Sequence, residues 1–325
     1  MLMTASLLLA DLFQALADPS RLRLLMLLRE MELSVGELAQ VLGQSQPRVS
    51  RHLKILADSG LIGRRKEGSW VFLELGPKPL VGPLFAFIEA VTDRAAEAQF
   101  DADVRRLVAV REDRADAAAR YFAANAAGWD QIRSLHIAES EVEAAIREAL
   151  GEGAIGRLVD IGTGTGRMIE LFGSRAEQSI GIDRSTEMLR LARVKLEAAG
   201  VQAVSLRQGD MYALPLPDAA ADVVLLHQVL HYAEAPAAAI REGARLLGDG
   251  GRLLIIDFAP HEREELRMRD QHARLGFADD AVLGWLAEAG LDGRVVRHLA
   301  GGELTVTLWA GERGAAPQRN QRRAA

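Results

Sequence analysis

The spacing of hydrophobic positions changes along this chain of 325 residues. In the N-terminal part, apolar side chains recur every three or four positions; Val49, Leu53 and Leu56, for example, fall on one face of a predicted helix. Further along, nearly continuous apolar runs alternate with helical patterns, as strands do when both faces of a parallel sheet are covered. These runs are residues 157–161, 179–183, 221–227 and 251–257. The pattern predicts a mainly α-helical N-terminal domain followed by an α/β domain.

Capping and turn residues divide the N-terminal domain into short elements. Ser34 and Glu37 form a capping-box pattern that predicts the start of one helix, and Gly43 ends that helix. Ser45 can cap a second helix, so the two helices and their tight turn predict a helix-turn-helix. Residues 61–75 then predict two strands joined by a turn at Glu67-Gly68, which together form a wing.

Positive charge is concentrated on the second helix and the wing. The whole chain has a formal net charge of −6, yet the stretch 44–70 holds six basic residues against Asp58 and Glu67. The six are Arg48, Arg51, Lys54, Arg64, Arg65 and Lys66. A local positive excess on an acidic chain indicates a contact surface for an anionic partner, although a solvated helix face is the alternative from charge alone.

Three N-terminal segments together indicate a known family. They are ALADPSRLRLLMLL (15–28), SVGELAQVLGQSQPRVSRHLKILADSGLI (34–62) and RRKEGSWVFLEL (64–75). They resemble the winged-helix domain of the ArsR family of bacterial repressors. The resemblance implies that the helix after Ser45 enters the major groove of a double-stranded DNA operator and that the wing touches the DNA backbone. The expected DNA-binding residues are Ser45, Gln46, Arg48, Ser50, Arg51, Lys54, Arg64 and Arg65. His52 is expected either to pack in the core or to contact DNA.

The same resemblance implies a homodimer, in which the helix after the wing pairs with the first helix of the domain. The family is best known for metal sensing, but this chain contains no cysteine, which excludes thiolate sites. The family's other site uses Asp and His on the helix after the wing, whereas residues 79–100 contain Asp93 but no histidine. We therefore predict no metal site, and a different effector.

A glycine motif follows the first apolar run of the second half. Gly162, Gly164 and Gly166 form a G-x-G-x-G pattern, with Asp160 before it and Asp183 at the end of the next run. Glycines let backbone N–H groups approach a ligand, and a carboxylate at the next strand end suits two ribose hydroxyls. The spacing differs from the G-x-G-x-x-G of dinucleotide-binding folds, which disfavours a nicotinamide-dependent dehydrogenase.

Four segments extend this motif in order: VDIGTGTGRM, GIDRSTEML, GDMYALPLPDAAADVVLLHQVLHY and ARLLGDGGRLLIIDF. They resemble the ubiquinone/menaquinone C-methyltransferase-like group of class I methyltransferases. The resemblance implies a Rossmann-like fold that binds S-adenosyl-L-methionine (SAM) or S-adenosyl-L-homocysteine (SAH). Asp183 is then expected to hold the ribose, Asp210 the adenine amino group, and Met211 the adenine ring. The full expected cofactor-binding set is Asp160, Gly162, Gly164, Gly166, Asp183, Arg184, Asp210, Met211 and His227.

The sequence leaves the catalytic residue unassigned. His227, His231 or His261 could act as a general base, and methyl transfer can also proceed by positioning alone. His227 and His231 have a spacing that could suit zinc, but no third ligand accompanies them. His261, Arg263 and His272 lie in the stretch where related enzymes place substrate contacts. That stretch is short and polar, which disfavours a lipid-quinone substrate, and the absence of cysteine disfavours arsenite methylation.

We therefore expect four regions. They are a winged-helix DNA-binding domain (1–96), a helical connector (97–120), a class I SAM-dependent methyltransferase domain (121–312) and a disordered tail (313–325). Because the sequence shows neither a signal peptide nor a membrane-spanning run, we expect a cytoplasmic protein. Two functions fit this organisation. The favoured one is a DNA-binding regulator whose methyltransferase domain binds SAM or SAH, and the alternative is an active small-molecule methyltransferase with an attached DNA-binding domain.

Overall fold

The computed structural model describes residues 10–30, 33–67, 70–91, 97–109, 124, 139–300 and 304–314. The chain divides into two compact units, residues 1–117 and 118–325. Each unit has its own hydrophobic core. The predicted wing turn at Gly68, the connector beyond residue 109 and the tail from residue 315 lie outside the described residues, as does the side chain of Arg65. The predicted fold class, a winged helix-turn-helix before a Rossmann-like domain, is confirmed.

The first unit consists of short helices packed beside a small antiparallel sheet. Its helices are α1 (10–16), α2 (Pro19–Glu30), α3 (Val35–Leu42), α4 (Gln46–Asp58), α5 (Lys78–Val91) and α6 (97–109). Its strands are β1 (Leu33–Ser34), β2 (Ile62–Glu67) and β3 (Trp70–Leu75), which pair in the order β1-β3-β2. Strands β2 and β3 form the predicted wing.

The predicted capping box is present at the start of α3. The Glu37 N–H donates to the Ser34 hydroxyl (3.3 Å), and the Ser34 N–H donates to the Glu37 carboxylate (2.6 Å). Ser45 occupies the N-cap position of α4, which the structure describes throughout. The Ser45 side chain makes no capping hydrogen bond to this helix. Pro47 in the first turn has no N–H, and the Arg48 N–H donates instead to the Ser45 carbonyl (3.0 Å). The prediction that the Ser45 side chain caps α4 was therefore wrong.

Helix α6 is not uniformly exposed, although its alternating charges suggested an exposed connector. Leu107 is buried in the core of the first unit. Asp103 is also buried, and its two carboxylate oxygens accept from Arg23 on α2 at 2.5 and 2.6 Å. The charge pattern along the sequence did not reveal the buried face of α6. Burial of a carboxylate such as Asp103 is energetically tolerable only when a partner from another helix is in place.

The second unit is built on a seven-stranded sheet. Its strands are β4 (Gly156–Ile161), β5 (Ala176–Asp183), β6 (Val204–Gln208), β7 (Ala221–His227), β8 (Leu247–Phe258), β9 (Asp292–Ala300) and β10 (Thr305–Glu312). Their order is β6-β5-β4-β7-β8-β10-β9, with parallel pairing from β6 to β8 and antiparallel pairing at β10. The strand order reverses between β4 and β7, and in such sheets ligands bind beyond the carboxyl ends of the strands at that point.

Helices cover both faces of this sheet. They are α7 (Glu139–Leu150), α8 (Arg167–Phe172), α9 (Thr186–Ala198), α10 (Pro236–Arg245), α11 (Glu265–Arg269) and α12 (Asp279–Glu288). Alternate residues of the central strands enter two separate cores; Val224 belongs to one, and Leu225 to the other. This alternation explains the continuous apolar runs in the sequence, because neither face of these strands meets water.

The burial pattern of α4 yields a stability prediction. Leu53 is 1% exposed in the core, whereas Ile55 on the same helix is 42% exposed. Leu53→Ala should lower the free energy of unfolding by about 2–5 kcal/mol because it leaves a cavity. Ile55→Ala should change it by no more than about 0.5 kcal/mol. Urea titrations of both variants measure the difference, and equal losses would contradict the assigned burial of this helix.

Candidate cofactor and DNA-binding sites

The glycine loop after β4 is held by backbone contacts to β5. The N–H groups of Gly162 and Thr163 donate to the Ile182 carbonyl at 2.8 and 3.0 Å. Gly162 has a φ of 71°, and a Cβ placed on it would lie 2.2 Å from a methyl carbon of Val229. A side chain at this position is therefore excluded both by backbone conformation and by the loop that follows β7.

Asp183 connects the end of β5 to the same loop. Its carboxylate accepts the N–H of Gly164 (2.8 Å) through one oxygen and the N–H of Ser185 (2.8 Å) through the other. Burial raises the pKa of this carboxyl, and the N–H groups of Ser185 and Gly164 oppose the rise without cancelling it. Each oxygen of a carboxylate has a further lone pair, so Asp183 can also accept hydroxyl groups from a ligand.

Asp160 stabilises the glycine loop through a hydrogen bond. It is buried at the end of β4, and its carboxylate accepts the hydroxyl of Thr163 at 2.6 Å. Gly166 closes the loop with a φ of 83°, immediately before α8. These contacts brace the glycine loop, and a loop that is braced in this way loses less conformational entropy when it binds a ligand.

The remaining expected cofactor residues also lie at or just beyond strand ends. The Gly209 N–H donates to the Asp183 carbonyl (3.1 Å), which brings the segment with Asp210 and Met211 next to Asp183. Asp210 is exposed and accepts the Tyr212 N–H (3.0 Å), while Met211 is half-buried against the core. Arg184 is exposed after β5, and His227 is half-buried at the end of β7. The structure thus brings Gly164 and Asp183 into direct contact and places the other residues at the same sheet edge.

A buried histidine–aspartate pair connects the loop after β7 to the end of β8, and the sequence analysis identified only its histidine. The ring Nδ1 of His231 lies 2.8 Å from the Asp257 carboxylate, and both side chains are buried. Asp257 also accepts the N–H groups of Leu230 (2.9 Å) and Phe258 (2.8 Å). Sequence reasoning named His231 but missed Asp257. The sequence did contain a signal for Asp257, which is an acidic residue at the end of an otherwise apolar strand. Such a residue needs a hydrogen-bonding or charged partner when it is buried.

Three other features of this loop were missed. Gln228 has a φ of 48°, an unusual conformation for a residue other than glycine, and Val229 packs on Gly162. The segment 259–277 is fastened to the same loop because the N–H groups of Ala273 and Arg274 donate to the His231 carbonyl.

Of the expected substrate contacts, His272 is the one placed beside His231. The centroids of these two rings are 4.2 Å apart. His261 instead meets the edge of the Phe258 ring, at 6.0 Å between centroids, and Arg263 pairs with Glu265. The structure therefore separates the three histidines that the sequence left as alternative bases: His231 is held by Asp257, His227 lies at the strand end, and His261 lies against Phe258.

Helix α4 separates its apolar and polar residues onto different faces. Val49, Leu53 and Leu56 are buried as predicted. The residues on the other face are exposed: Ser45 just before the helix and Gln46, Arg48, Ser50, Arg51 and Lys54 within it. Arg64 on the wing strand β2 is exposed as well. Their contact with DNA stays a prediction.

His52 lies at the border between these two faces of α4. It is half-buried, and its Nδ1 is 3.9 Å from the carboxylate of Asp18, just before α2. Sequence reasoning left open whether it packs or contacts DNA, and in the structure it has one side toward each environment.

Among the residues that the structure describes, no helix combines the length and apolar character needed to cross a membrane. Within the same residues, no group of three or more His, Asp or Glu side chains is arranged to hold a metal ion.

Comparison with protein families identifies both units. Residues 18–63 match the family "Bacterial regulatory protein, arsR family". Residues 159–255 match the family "Methyltransferase domain". The first match contains the helix-turn-helix and the start of the wing, and the second contains the glycine loop, Asp183, Asp210 and His231.

Individual relatives match one unit or the other. The uncharacterised methyltransferase YcgJ of Bacillus subtilis is 34% identical over 107 residues, 33% of this chain and 42% of that protein. The arsenical resistance operon repressor of Escherichia coli is 50% identical over 68 residues, 21% of this chain and 58% of that protein. A demethylmenaquinone methyltransferase of Deinococcus radiodurans is 33% identical over 166 residues, 49% of this chain and 67% of that protein.

The chain spans about half the length of the first two of these relatives. Its N-terminal unit has the helix-turn-helix and wing of one family, and its C-terminal unit has the sheet and glycine loop of the other. The chain therefore joins an N-terminal winged helix that matches the arsR family of bacterial regulatory proteins to a C-terminal methyltransferase domain.

Proposed function

We propose that the protein is a DNA-binding transcriptional regulator whose methyltransferase domain binds SAM or SAH as its effector. The observation that carries this proposal is the presence of two separately formed sites on one chain. One is the exposed basic face of α4, and the other is the Gly164–Asp183 contact at the end of the parallel sheet. A regulator needs both a surface for DNA and a pocket for a signal.

The residues at the sheet edge fit SAM or SAH in their donor and acceptor chemistry. Asp183 offers carboxylate lone pairs for the two ribose hydroxyls. Asp210 offers an acceptor for the adenine amino group, and Met211 offers an apolar surface for the ring. SAM and SAH share these adenosine groups and differ at sulfur, where SAM has a positive charge and a methyl group. A sensor of methylation status therefore has to distinguish them near the glycine loop and the residues after β7.

Exposed apolar side chains on α1 and α5 support a homodimer. Phe13 on α1 is 55% exposed, and Phe87 and Val91 on α5 are 54% and 61% exposed. The corresponding two helices form the dimer in the family that the first unit resembles. Large exposed apolar side chains on them suggest a surface that a second copy covers. A symmetric pair would present two α4 helices to half-sites about one DNA turn apart.

An active methyltransferase with an attached DNA-binding domain is the second candidate, and the His231–Asp257 pair favours it. If the Asp257 carboxylate accepts the Nδ1–H of His231, the other ring nitrogen is left as an acceptor. An imidazole held in this way can remove a proton from a methyl acceptor. His231 lies in the loop that packs on the glycine loop through Val229, next to the proposed cofactor pocket, and Asp257 holds it from the end of β8.

Removal of the Asp183 charge tests the cofactor site. Asp183→Asn should weaken SAH binding at least about tenfold, because charge-assisted hydrogen bonds contribute about 1.5–3 kcal/mol each. Glu187→Gln, an exposed change at the start of α9, is the matched control and should leave affinity unchanged. Isothermal titration calorimetry with SAH measures both variants. Equal affinity in the two variants, or effective competition by NAD, would contradict the assigned site.

Coupling between the two sites tests the regulator proposal. Binding of the effector should change operator affinity by about 1–3 kcal/mol, and operator DNA should change effector affinity by the same factor. The measurement is a DNA titration with saturating SAM, with saturating SAH and with neither, on an operator selected from a random-sequence pool. We expect the SAM and SAH curves to differ. Three superimposable curves would reject the sensor function and favour the enzyme with an attached DNA-binding domain.

A charge on the exposed face of α5 tests the dimer. Phe87→Glu should convert the protein to a monomer, because a carboxylate is costly to bury in an apolar interface. Val194→Glu is the control, since Val194 is 61% exposed on α9 of the methyltransferase unit. Sedimentation equilibrium of both variants gives their masses. A dimer that persists in Phe87→Glu would place the interface elsewhere.

A further inference from the structure

The residue that follows β7 combines an unusual backbone conformation with a buried polar side chain. Gln228 is 8% exposed and has a φ of 48°, in the left-handed region that residues other than glycine seldom adopt. Its N–H donates to the Ile256 carbonyl at 2.7 Å, so the adjacent strand β8 holds this backbone in place. Backbone strain of this kind persists where the surrounding contacts enforce it, and it is concentrated at binding and catalytic sites.

Among the residues that the structure describes, none makes a hydrogen bond to the side-chain amide of Gln228. The amide is not sealed inside the core, because the described polar side-chain atoms that are both fully buried and unpartnered do not include it. Withdrawal of an amide from water without a partner destabilises a fold. Packing alone therefore does not account for a glutamine at this position, whereas contact with a ligand does.

The position of Gln228 in the sheet indicates which part of a ligand it meets. The strand order is β5-β4-β7, so the glycine loop after β4 has the end of β5 on one side and the end of β7 on the other. Asp183 ends β5, and Gln228 directly follows β7. Val229, the next residue, fills the space beside Gly162 of the loop. A ligand that places its ribose at Asp183 and extends across the loop therefore brings its sulfur-bearing end to Gln228.

We propose that the Gln228 amide contacts the sulfur-bearing end of the bound ligand and sets the relative affinity for SAM and SAH. The inference rests on the proposed binding of these ligands as effectors, and it names the residue that distinguishes them. SAM has a positively charged sulfonium, whereas SAH has a neutral thioether. An amide oxygen is attracted to the sulfonium charge, while an amide N–H makes only a weak hydrogen bond to a thioether sulfur. Gln228 therefore stabilises bound SAM more than bound SAH.

The ratio of two dissociation constants tests this assignment. SAM and SAH differ only in the methyl group and the charge on sulfur, so the ratio of the Kd for SAM to the Kd for SAH cancels effects on the groups that they share. Gln228→Glu adds a negative charge and should lower this ratio at least about tenfold. Gln228→Leu removes the amide oxygen and should raise the ratio about fivefold. Isothermal titration calorimetry of the full-length protein with each ligand measures both changes.

Melting of the ligand-free protein separates contact with a ligand from a structural role. Leucine is similar in size to glutamine and, like it, is unbranched at Cβ, so the φ of residue 228 suits the two side chains equally. Because Gln228→Leu removes a buried amide that has no partner among the described residues, the ligand-free variant should melt at or above the wild-type temperature. Saturating SAM should stabilise this variant less than it stabilises the wild type.

A second glutamine of the same sheet provides the matched control. Gln178 is exposed near the amino end of β5, whereas the proposed site lies at the carboxyl ends of the strands. Gln178→Glu adds the same charge as Gln228→Glu, at the opposite edge of the sheet. It should leave both the ratio of dissociation constants and the melting temperature unchanged.

These measurements distinguish the role of Gln228 from the effector function on which it depends. If the wild type binds neither SAM nor SAH, the proposed effector function fails. If the wild type binds them but both Gln228 variants keep the wild-type ratio, ligand binding stands and the assignment of Gln228 is overturned. A Gln228→Leu variant that melts below the wild type in the absence of ligand also overturns it, because the amide would then stabilise the fold itself.

Discussion

The hydrogen bond from the Gly164 N–H to the Asp183 carboxylate organises the methyltransferase domain. It joins the ends of two adjacent parallel strands, β4 and β5, at the point where the strand order reverses. The same carboxylate holds the Ser185 N–H and so also sets the start of α9. One side chain therefore links the glycine loop, the end of β5 and the start of α9. As a result, the carboxylate that can accept ribose hydroxyls is held at a fixed position relative to the backbone N–H groups of the loop.

The loop after β7 packs against the glycine loop. Val229 fills the space beside Gly162, and the following residues place His231 against Asp257. A ligand at the glycine loop would therefore lie close to a segment fastened to residues 259–277. This geometry serves either proposed function, since a sensor needs the loop to respond to the group on sulfur, and an enzyme that uses a general base needs that base near the same group.

The winged helix depends on a different constraint, the separation of two faces on α4. Its buried stripe anchors the helix in the core, which leaves the opposite face for a partner. His52 lies at the boundary of the two faces, where its Nδ1 is 3.9 Å from the carboxylate of Asp18, just before α2. The buried Arg23–Asp103 pair connects α2 in turn to α6, so the last described helix of the first unit is held by the same core.

The sequence by itself determined the fold class, the glycine loop with Asp183, the capping box of α3 and the polar face of α4. These features depend on local periodicity, on backbone conformation or on motifs of fixed spacing, which are visible along the chain. Only the tertiary structure decided the partners of Asp103 and Asp257 and placed His52 beside Asp18, and it also showed that Ser45 does not cap α4 through its side chain. The cost of burying a charged or polar side chain is offset by groups from other elements, and the sequence does not record which elements come together.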